Sequence, residues 1–231
     1  MTMEPLLLRL GQRDCDKLIA NTKRLHVKKG AVIFNEGSPA EHLFFIEKGE
    51  MRIFKNLGDN REITIFTRGE DDGFGEIGIF SGKKYSNTAE ATRDSVILSI
   101  HKDVIESILA EDGHLCLQFI KWVAESLEAS KAQTRDFLAF GSEGAVASMF
   151  LRYVNMYGVV TVNGIRITKP ILIQDISKYI GISRETVSRI VNKWKEKGIL
   201  TNDNKYFLVK DIDYLKTLLA CDSCGVENCV L

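Results

Sequence analysis

The segment from Ile171 to Leu200, ILIQDISKYIGISRETVSRIVNKWKEKGIL, limits the possible folds of this chain more than any other stretch. An apolar helical pattern with Ile176 and Ile180 one turn apart stops at Gly181, and a second helical pattern begins after Ser183. Glycine permits a tight turn, and serine is a favoured N-cap residue. The spacing predicts a helix-turn-helix, in which the first helix buries its apolar stripe against the second.

The residues around this motif indicate a nucleic-acid partner. The sequence after the second helix, GILTNDNKYFLV, predicts a strand, a turn at 202–204 and another strand, which together form a wing. From Arg166 to Lys197 there are eight basic and three acidic residues, a net charge of +5, whereas the whole chain is formally neutral. A helical hairpin that only packs is the alternative, but it does not explain this concentration of positive charge. We therefore expect the second helix to meet the phosphates of double-stranded DNA.

The region from about Leu25 to Ser99 consists of short β-type runs separated by glycine and polar turn residues. The runs are AVIF, HLFFIEKGE, MRIFKN, EITIFTRGE, GFGEIGIF and SVILSI. Runs of this length at spacings near ten residues are typical of an antiparallel sandwich or roll rather than of a βαβ domain. We therefore predict an N-terminal antiparallel β-roll.

A long helix is predicted between the roll and the helix-turn-helix. From Asp112 to Asp136 apolar residues recur at helical spacing. The apolar stripe is longer than a small roll can cover, which favours pairing with a second copy of the chain, and complete coverage by the roll is the alternative. The sequence thus predicts an α+β protein with a β-roll at 1–101, a dimerisation helix and hinge at 102–141, and a winged helix-turn-helix at 142–231.

The composition and the ends of the chain limit its class. The first apolar run is interrupted by Arg9, and no apolar stretch approaches the roughly 18 residues needed to span a bilayer, so we expect a cytoplasmic protein with no membrane partner. There is no nucleophile with a base at diagnostic spacing, no phosphate loop and no convincing pair of carboxylates. We therefore predict that the chain is not an enzyme.

Taken together, KKGAVIFNEGSPAEHLFFIEKGEMRIF, GFGEIGIF, the long helix and SRETVSR resemble the CRP/FNR family of bacterial transcription regulators. The resemblance extends from about Leu25 to Leu215. It implies a homodimer on palindromic DNA with half-sites similar to TGTGA, and RNA polymerase as a partner.

The same resemblance implies which residues read the DNA. The positions that match Arg184, Glu185 and Arg189 contact bases in the family. Ser188 stands where the FNR branch keeps a serine in its E-x-x-S-R pattern, and we expect it to contact a base or a phosphate. Arginine can donate two hydrogen bonds to guanine, and glutamate can accept one from cytosine. The chemistry of these side chains therefore agrees with the role that the resemblance implies.

The β-roll retains half of the sequence that binds cyclic nucleotides in one branch of the family. Gly75 and Glu76 match the pair that holds the ribose, but Tyr85 stands where an arginine holds the cyclic phosphate. A neutral hydroxyl cannot replace a bidentate cation, although Lys83 or Lys84 offers an alternative on an exposed loop. We expect that cyclic nucleotide is not the effector, and a regulator controlled by a small ligand in the roll stays the alternative.

The C-terminal sequence CDSCGVENCVL contains three of the five cysteines, Cys221, Cys224 and Cys229. Cysteines crowded at one end do not resemble a disulfide framework and indicate a metal centre in a reducing compartment. Three thiolates leave a four-ligand site incomplete, and all four histidines precede the DNA-binding region. A structural zinc site would have a nearby fourth ligand, whereas a [4Fe–4S] cluster tolerates an unusual one. A zinc- or thiol-dependent regulator is the second alternative.

The position of these cysteines resembles the Bacillus-type FNR branch, whereas the N-terminal region has only Cys15. This resemblance implies an oxygen-labile [4Fe–4S] cluster with a carboxylate as fourth ligand. Asp136 is the first candidate, because a ligand at the end of the long helix would connect the tail to the dimer. The competing carboxylates are Asp222, Glu227 and Glu143. Cys116 is expected to be a core residue and Cys15 a surface or partly buried thiol. The sequence thus predicts an oxygen- or redox-responsive regulator of anaerobic gene expression.

Overall fold

The computed structural model describes residues 4–58, 61–203 and 205–223. The chain divides into two compact units, one within residues 4–124 and the other from residue 125 onward, with residues 61–63 assigned to the second. The boundary between the two units lies within the predicted long helix, so it does not coincide with a predicted domain limit. The predicted limits of 1–101, 102–141 and 142–231 therefore stay a prediction.

The N-terminal region contains two four-stranded sheets. The strands are β1 (Lys23–Val27), β2 (Val32–Phe34), β3 (His42–Lys48), β4 (Met51–Gly58), β5 (Arg61–Arg68), β6 (Gly73–Phe74), β7 (Thr88–Ala91) and β8 (Ser95–His101). They are ordered β1–β8–β3–β6 and β2–β7–β4–β5, with antiparallel pairs such as β3–β8 and β4–β7. The predicted antiparallel β-roll is confirmed.

The run GFGEIGIF was predicted as β-type along its whole length, and this prediction is wrong in part. Only Gly73 and Phe74 form a strand, and the helix α2 (Glu76–Ser81) follows at once. Gly75 lies between them with a φ of 96°, in the left-handed region that glycine adopts without steric cost. The chain therefore changes from strand to helix at this single residue.

The other helices of the N-terminal unit are α1 (Gln12–Ile19), which was not predicted, and α3 (Lys102–Glu111). A 3-10 turn spans Leu7–Arg9. The predicted long helix is confirmed as α4 (Gly113–Ala139). The indole nitrogen of Trp122, on α4, donates a hydrogen bond of 2.9 Å to Asp72 Oδ1 within the roll. One face of the first half of α4 is thereby attached to the roll.

A second face of α4 stays open. Leu117, Ile120 and Val123 are large apolar residues on this face, and Ile120 is 59% exposed. The alternative in which the roll covers the stripe completely is wrong for these residues. The exposed stripe is the kind of surface that a second helix covers.

The C-terminal unit is a winged helix-turn-helix. Its helices are α5 (Gly141–Tyr157), α6 (Ile173–Ile180), α7 (Arg184–Glu196) and α8 (Ile212–Leu218), and its strands are β9 (Gly158–Thr161), β10 (Gly164–Ile167), β11 (Leu200–Asp203) and β12 (Tyr206–Val209). The strands form one sheet in the order β11–β12–β10–β9, and a 3-10 turn spans Cys221–Ser223. Asn202 and Asp203 belong to β11 rather than to the predicted turn, and Asn204 lies outside the described residues.

The helix α5 forms the centre of this unit, since its residues from Gly144 to Val154 are all buried. The helix α8 was not predicted. Its start is marked by Asp211, whose side chain accepts a hydrogen bond of 2.8 Å from the backbone of Tyr214 as an N-cap. Among the residues that the structure covers, no helix is long and apolar enough to cross a membrane.

Candidate DNA-binding surface and C-terminal segment

The turn between α6 and α7 has the geometry that the sequence predicts. Gly181 adopts a left-handed conformation with a φ of 70°, and its N–H donates to the carbonyl of Ser177 at 2.9 Å. Ser183 caps α7 by accepting a hydrogen bond of 3.2 Å from the backbone of Thr186. Ile176 and Val187 are fully buried in the common core. The two helices are therefore held at a fixed angle, and the outer face of α7 is presented as a rigid surface.

The outer face of α7 carries the four residues predicted to read DNA. Arg184, Glu185 and Arg189 are exposed and Ser188 is half-buried. Within the described parts of the chain, none of their side chains forms a hydrogen bond or ion pair. Arginine and glutamate side chains without internal partners are available for base edges or phosphates.

A groove of about 480 Å³ separates α7 from the wing. Its polar lining comes from Gln174, Arg184, Ser188, Asn192, Asn202, Lys195 and Lys205. The Lys195 and Lys205 ammonium groups lie over the rings of Phe207 and Tyr206, at 5.6 and 5.3 Å from the ring centroids. Aromatic rings attract these cations without neutralising their charge, so the groove keeps a positive field.

Asp136 lies near the end of α4 and is 4% exposed. Its Oδ2 accepts a hydrogen bond of 2.7 Å from Ser148 Oγ and lies 3.4 Å from Arg152 Nη2, while its Oδ1 lies 3.3 Å from Arg135 Nη2. Asp136 is therefore part of a buried ion network and is not a solvated charge at a helix end.

The other carboxylates considered as fourth ligands differ in their positions. Asp222 is exposed at the end of the described segment, and Glu227 lies outside it. Glu143 is engaged in hydrogen bonds with Trp194 and Lys193. Burial acts to raise the pKa of Glu143, but these hydrogen bonds and the charge of Lys193 hold this pKa below its usual value.

Three of the five cysteines, Cys15, Cys116 and Cys221, lie in the described part of the chain. Cys221 is half-buried and packs against the core of the C-terminal unit, whereas Cys224 and Cys229 lie outside the described residues. Cys15 donates to the carbonyl of Leu7 at 3.2 Å, and burial together with nearby aspartates raises the pKa of its thiol. Cys116 is half-buried. The described residues contain no group of three or more metal-binding side chains. Cys224 and Cys229 are not among these residues.

Tyr85, at the position where the family resemblance implies an arginine, is 5% exposed. Its hydroxyl donates to the carbonyl of His42 at 2.7 Å and accepts from the His42 N–H at 3.1 Å, and its ring stacks on Phe34 with centroids 3.7 Å apart. Glu76 is buried beside it, and this burial raises the pKa of its carboxyl group. The cavity that remains has a volume of about 20 Å³.

Comparisons with known proteins agree with this architecture. Residues 24–112 match the cyclic nucleotide-binding domain family, and residues 144–218 match the Crp-like helix-turn-helix domain family. The chain is 31% identical, over 211 residues, to the anaerobic regulatory protein of Bacillus subtilis, with 90% of this chain and 88% of that protein covered. The chain belongs to the CRP/FNR family of transcription regulators. CRP/FNR regulators bind DNA, act as dimers and are not enzymes. This confirms the predictions of DNA binding, of a dimer and of a protein that is not an enzyme.

Another relative has an effector, cAMP, in its name. The chain is 25% identical over 219 residues to the CRP-like cAMP-activated global transcriptional regulator of Mycobacterium tuberculosis, with 92% of this chain and 98% of that protein covered. A solved structure of a CooA mutant from Carboxydothermus hydrogenoformans has a TM-score of 0.79 and 20% identity, and the match covers 95% of this chain and 97% of that one. Membership of the CRP/FNR family thus establishes the fold and DNA binding and leaves the effector open.

Proposed function

We propose that the chain is an oxygen- or redox-responsive regulator of anaerobic gene expression, controlled by a C-terminal [4Fe–4S] cluster. The observation that carries this proposal is the place where the cysteine segment, CDSCGVENCVL from Cys221 onward, begins. It begins at the end of α8, where the carbonyl of Leu219 accepts a hydrogen bond of 2.6 Å from Arg135, the neighbour of Asp136 on α4. The similarity to a relative named anaerobic regulatory protein supports the same effector class.

Arg184, Glu185 and Arg189 are proposed to contact bases, and Ser188 a base or a phosphate, in palindromic sites with TGTGA-like half-sites. These side chains form no hydrogen bond or ion pair with the residues that the structure describes, and they lie toward the N-terminal end of α7, which is the end that enters the major groove in helix-turn-helix proteins. The homodimer on the α4 stripe would present two such helices to the two half-sites.

Cys221, Cys224, Cys229 and Asp136 would hold the cluster, because three thiolates and one carboxylate supply the four ligands that it needs. When bound, the cluster would supply reactivity toward oxygen or nitric oxide. Asp136 would have to exchange at least part of its contact with Ser148 and Arg152 for this role. If Asp136 left these contacts to bind the cluster, the charge of the fully buried Arg152 would be less compensated. Binding of the cluster by Asp136 and the packing of α4 on α5 are therefore coupled.

Control by cyclic nucleotide is not part of this proposal. Tyr85 stands where the resemblance implies the phosphate-binding arginine, and about 20 Å³ of free volume is small beside the roughly 300–1,000 Å³ of typical ligand pockets. A small ligand that displaces Tyr85 stays the alternative for the roll, as does zinc or thiol chemistry for the tail. We further propose that the regulator acts in the cytoplasm and contacts RNA polymerase, since it has to act on promoter DNA.

Operator selection under anaerobic conditions tests the proposal. Random duplexes bound by the anaerobic protein should converge on a palindrome with TGTGA-like half-sites, and exposure of the same sample to air should abolish the preference. Selection of one palindrome with equal affinity before and after air would leave a CRP/FNR regulator but contradict control by oxygen.

A further inference from the structure

The carboxylate of Glu143 joins three helices of the DNA-binding unit. Glu143 lies in the first turn of α5, and its Oε1 accepts a hydrogen bond of 3.0 Å from Trp194 Nε1 on α7. Lys193 Nζ, also on α7, lies 3.3 Å from both oxygens of the carboxylate. The hydroxyl of Tyr214, on α8, donates to Oε1 at 3.4 Å. One side chain of α5 therefore contacts α7, the proposed recognition helix, and α8, the helix that precedes the cysteine segment.

These contacts differ in strength. The ion pair with Lys193 is half exposed, and such pairs contribute little to stability. The indole of Trp194 is fully buried, so loss of its acceptor would leave a buried N–H without a hydrogen bond. The ring of Trp194 also packs edge-on against Phe150, with centroids 6.0 Å apart. The indole hydrogen bond is thus the contact that fixes how the C-terminal half of α7 lies on α5.

The location of Glu143 separates it from the DNA. Trp194 is ten residues from Arg184 and five from Arg189, which is about 15 and 7.5 Å along the helix axis. Glu143 forms no hydrogen bond or ion pair with the four side chains proposed to read bases. A change at Glu143 therefore acts on DNA recognition through α7, by the placement of this helix and by the charge of Lys193.

We infer that Glu143 is a positioning residue for the recognition helix: it holds α7 at one orientation on α5 and α8, and so sets the alignment of the reading face with the half-site. The inference rests on the proposed role of the α7 face. Through Tyr214 the same carboxylate also connects α8 to α7. A shift of α8, which precedes the segment that begins at Cys221, can therefore be transmitted directly to α7.

The test compares operator affinity with affinity for a duplex of unrelated sequence, under conditions where circular dichroism shows every variant folded. In Glu143→Ala the operator affinity should fall about tenfold, equivalent to about 1.4 kcal/mol, while affinity for the unrelated duplex stays within about twofold. Glu143→Gln keeps an acceptor for the indole and should recover most of the loss. Asp213→Ala removes a negative charge from an exposed position on α8 and serves as the matched control, with no change expected.

A double-mutant cycle separates positioning from general destabilisation. Trp194→Phe removes the indole donor, so Glu143→Ala should cost little more in that background than Trp194→Phe alone. Additive losses would overturn the inference, as would equal losses for the operator and the unrelated duplex, or an operator affinity within twofold of wild type in Glu143→Ala. A wild-type protein without any operator preference would instead contradict the reading face, and with it this inference.

Discussion

Arg135 Nη2 donates a hydrogen bond of 2.6 Å to the carbonyl oxygen of Leu219, just beyond the last residue of α8. The same guanidinium lies 3.3 Å from Asp136 Oδ1. Cys221 follows two residues later, after Ala220, which has a φ of 48° in the left-handed region that alanine rarely adopts. The end of α4 and the beginning of the cysteine segment are thus held together by one arginine, at a point where the backbone is strained.

Arg189→Ala is expected to weaken operator binding by about 1–3 kcal/mol per half-site and to relax specificity at one symmetric pair of bases. The reason is that the exposed guanidinium has no partner to release among the residues that the structure describes. Titration of duplexes with single base changes measures this effect, and Lys216→Ala, on the exposed face of α8, is the control. A loss that is the same for every sequence would show a phosphate contact instead.

Asp136→Ala is expected to lower the free energy of unfolding of the C-terminal unit by about 3–5 kcal/mol, even in air-exposed protein. The substitution leaves the fully buried Arg152 without a carboxylate that lies 3.4 Å away. Urea denaturation followed by tryptophan fluorescence measures the change. Glu128→Ala, which removes an exposed carboxylate from the same helix, should have a small effect. Equal stability of the two variants would contradict the buried network.

Ile120→Glu is expected to convert the dimer to a monomer without unfolding the roll. Ile120 is 59% exposed in the single chain, so a charge there costs little until a second helix covers it. Sedimentation velocity gives the mass, and thermal unfolding checks the fold. Leu8→Glu changes an equally exposed residue outside α4 and should leave the dimer intact. A dimeric Ile120→Glu variant would exclude this face of α4 from the interface.

Glu76→Gln is expected to stabilise the roll increasingly as the pH rises above about 4.3, the usual pKa of glutamate. Burial raises the pKa of the folded-state carboxyl group, with partial compensation from the charge of Arg68. Between the unfolded and folded pKa values the folded chain binds more protons, so the wild-type free energy of unfolding falls as the pH rises through this window. Glutamine does not titrate, and its advantage should disappear in acid. Thermal melts at several pH values measure the difference, and a constant difference would contradict a raised pKa.

Local patterns in the sequence were sufficient for the helix-turn-helix and for the long helix. Gly181 and Ser183 act on their immediate neighbours, so their conformations follow from the sequence around them. The short helices were harder to predict. In GFGEIGIF the left-handed conformation of Gly75 turns a strand into a helix, and α8 has only seven residues, with Asp211 as its one clear start signal.

The polar networks could not be predicted, because their members are far apart in the sequence. Asp136 reaches residues on α5, and Glu143 reaches residues 50 to 71 positions away. No periodicity or motif connects such positions. From the sequence, Glu143 is a candidate only as a metal ligand. The sequence shows its charge, but it does not show that the indole of Trp194 donates a hydrogen bond to it.

We propose above all that the tail cysteines hold an iron–sulfur cluster that controls DNA binding. The most direct measurement is the iron and acid-labile sulfide content, with the visible absorbance and operator affinity, of anaerobically purified wild-type, Cys224→Ser and Cys116→Ser proteins. We predict about four irons and four sulfides per protomer in wild type and Cys116→Ser, a strong decrease in Cys224→Ser, and loss of colour and operator affinity together in air. A colourless wild-type protein that contains stoichiometric zinc and keeps its full operator affinity in air would contradict the claim.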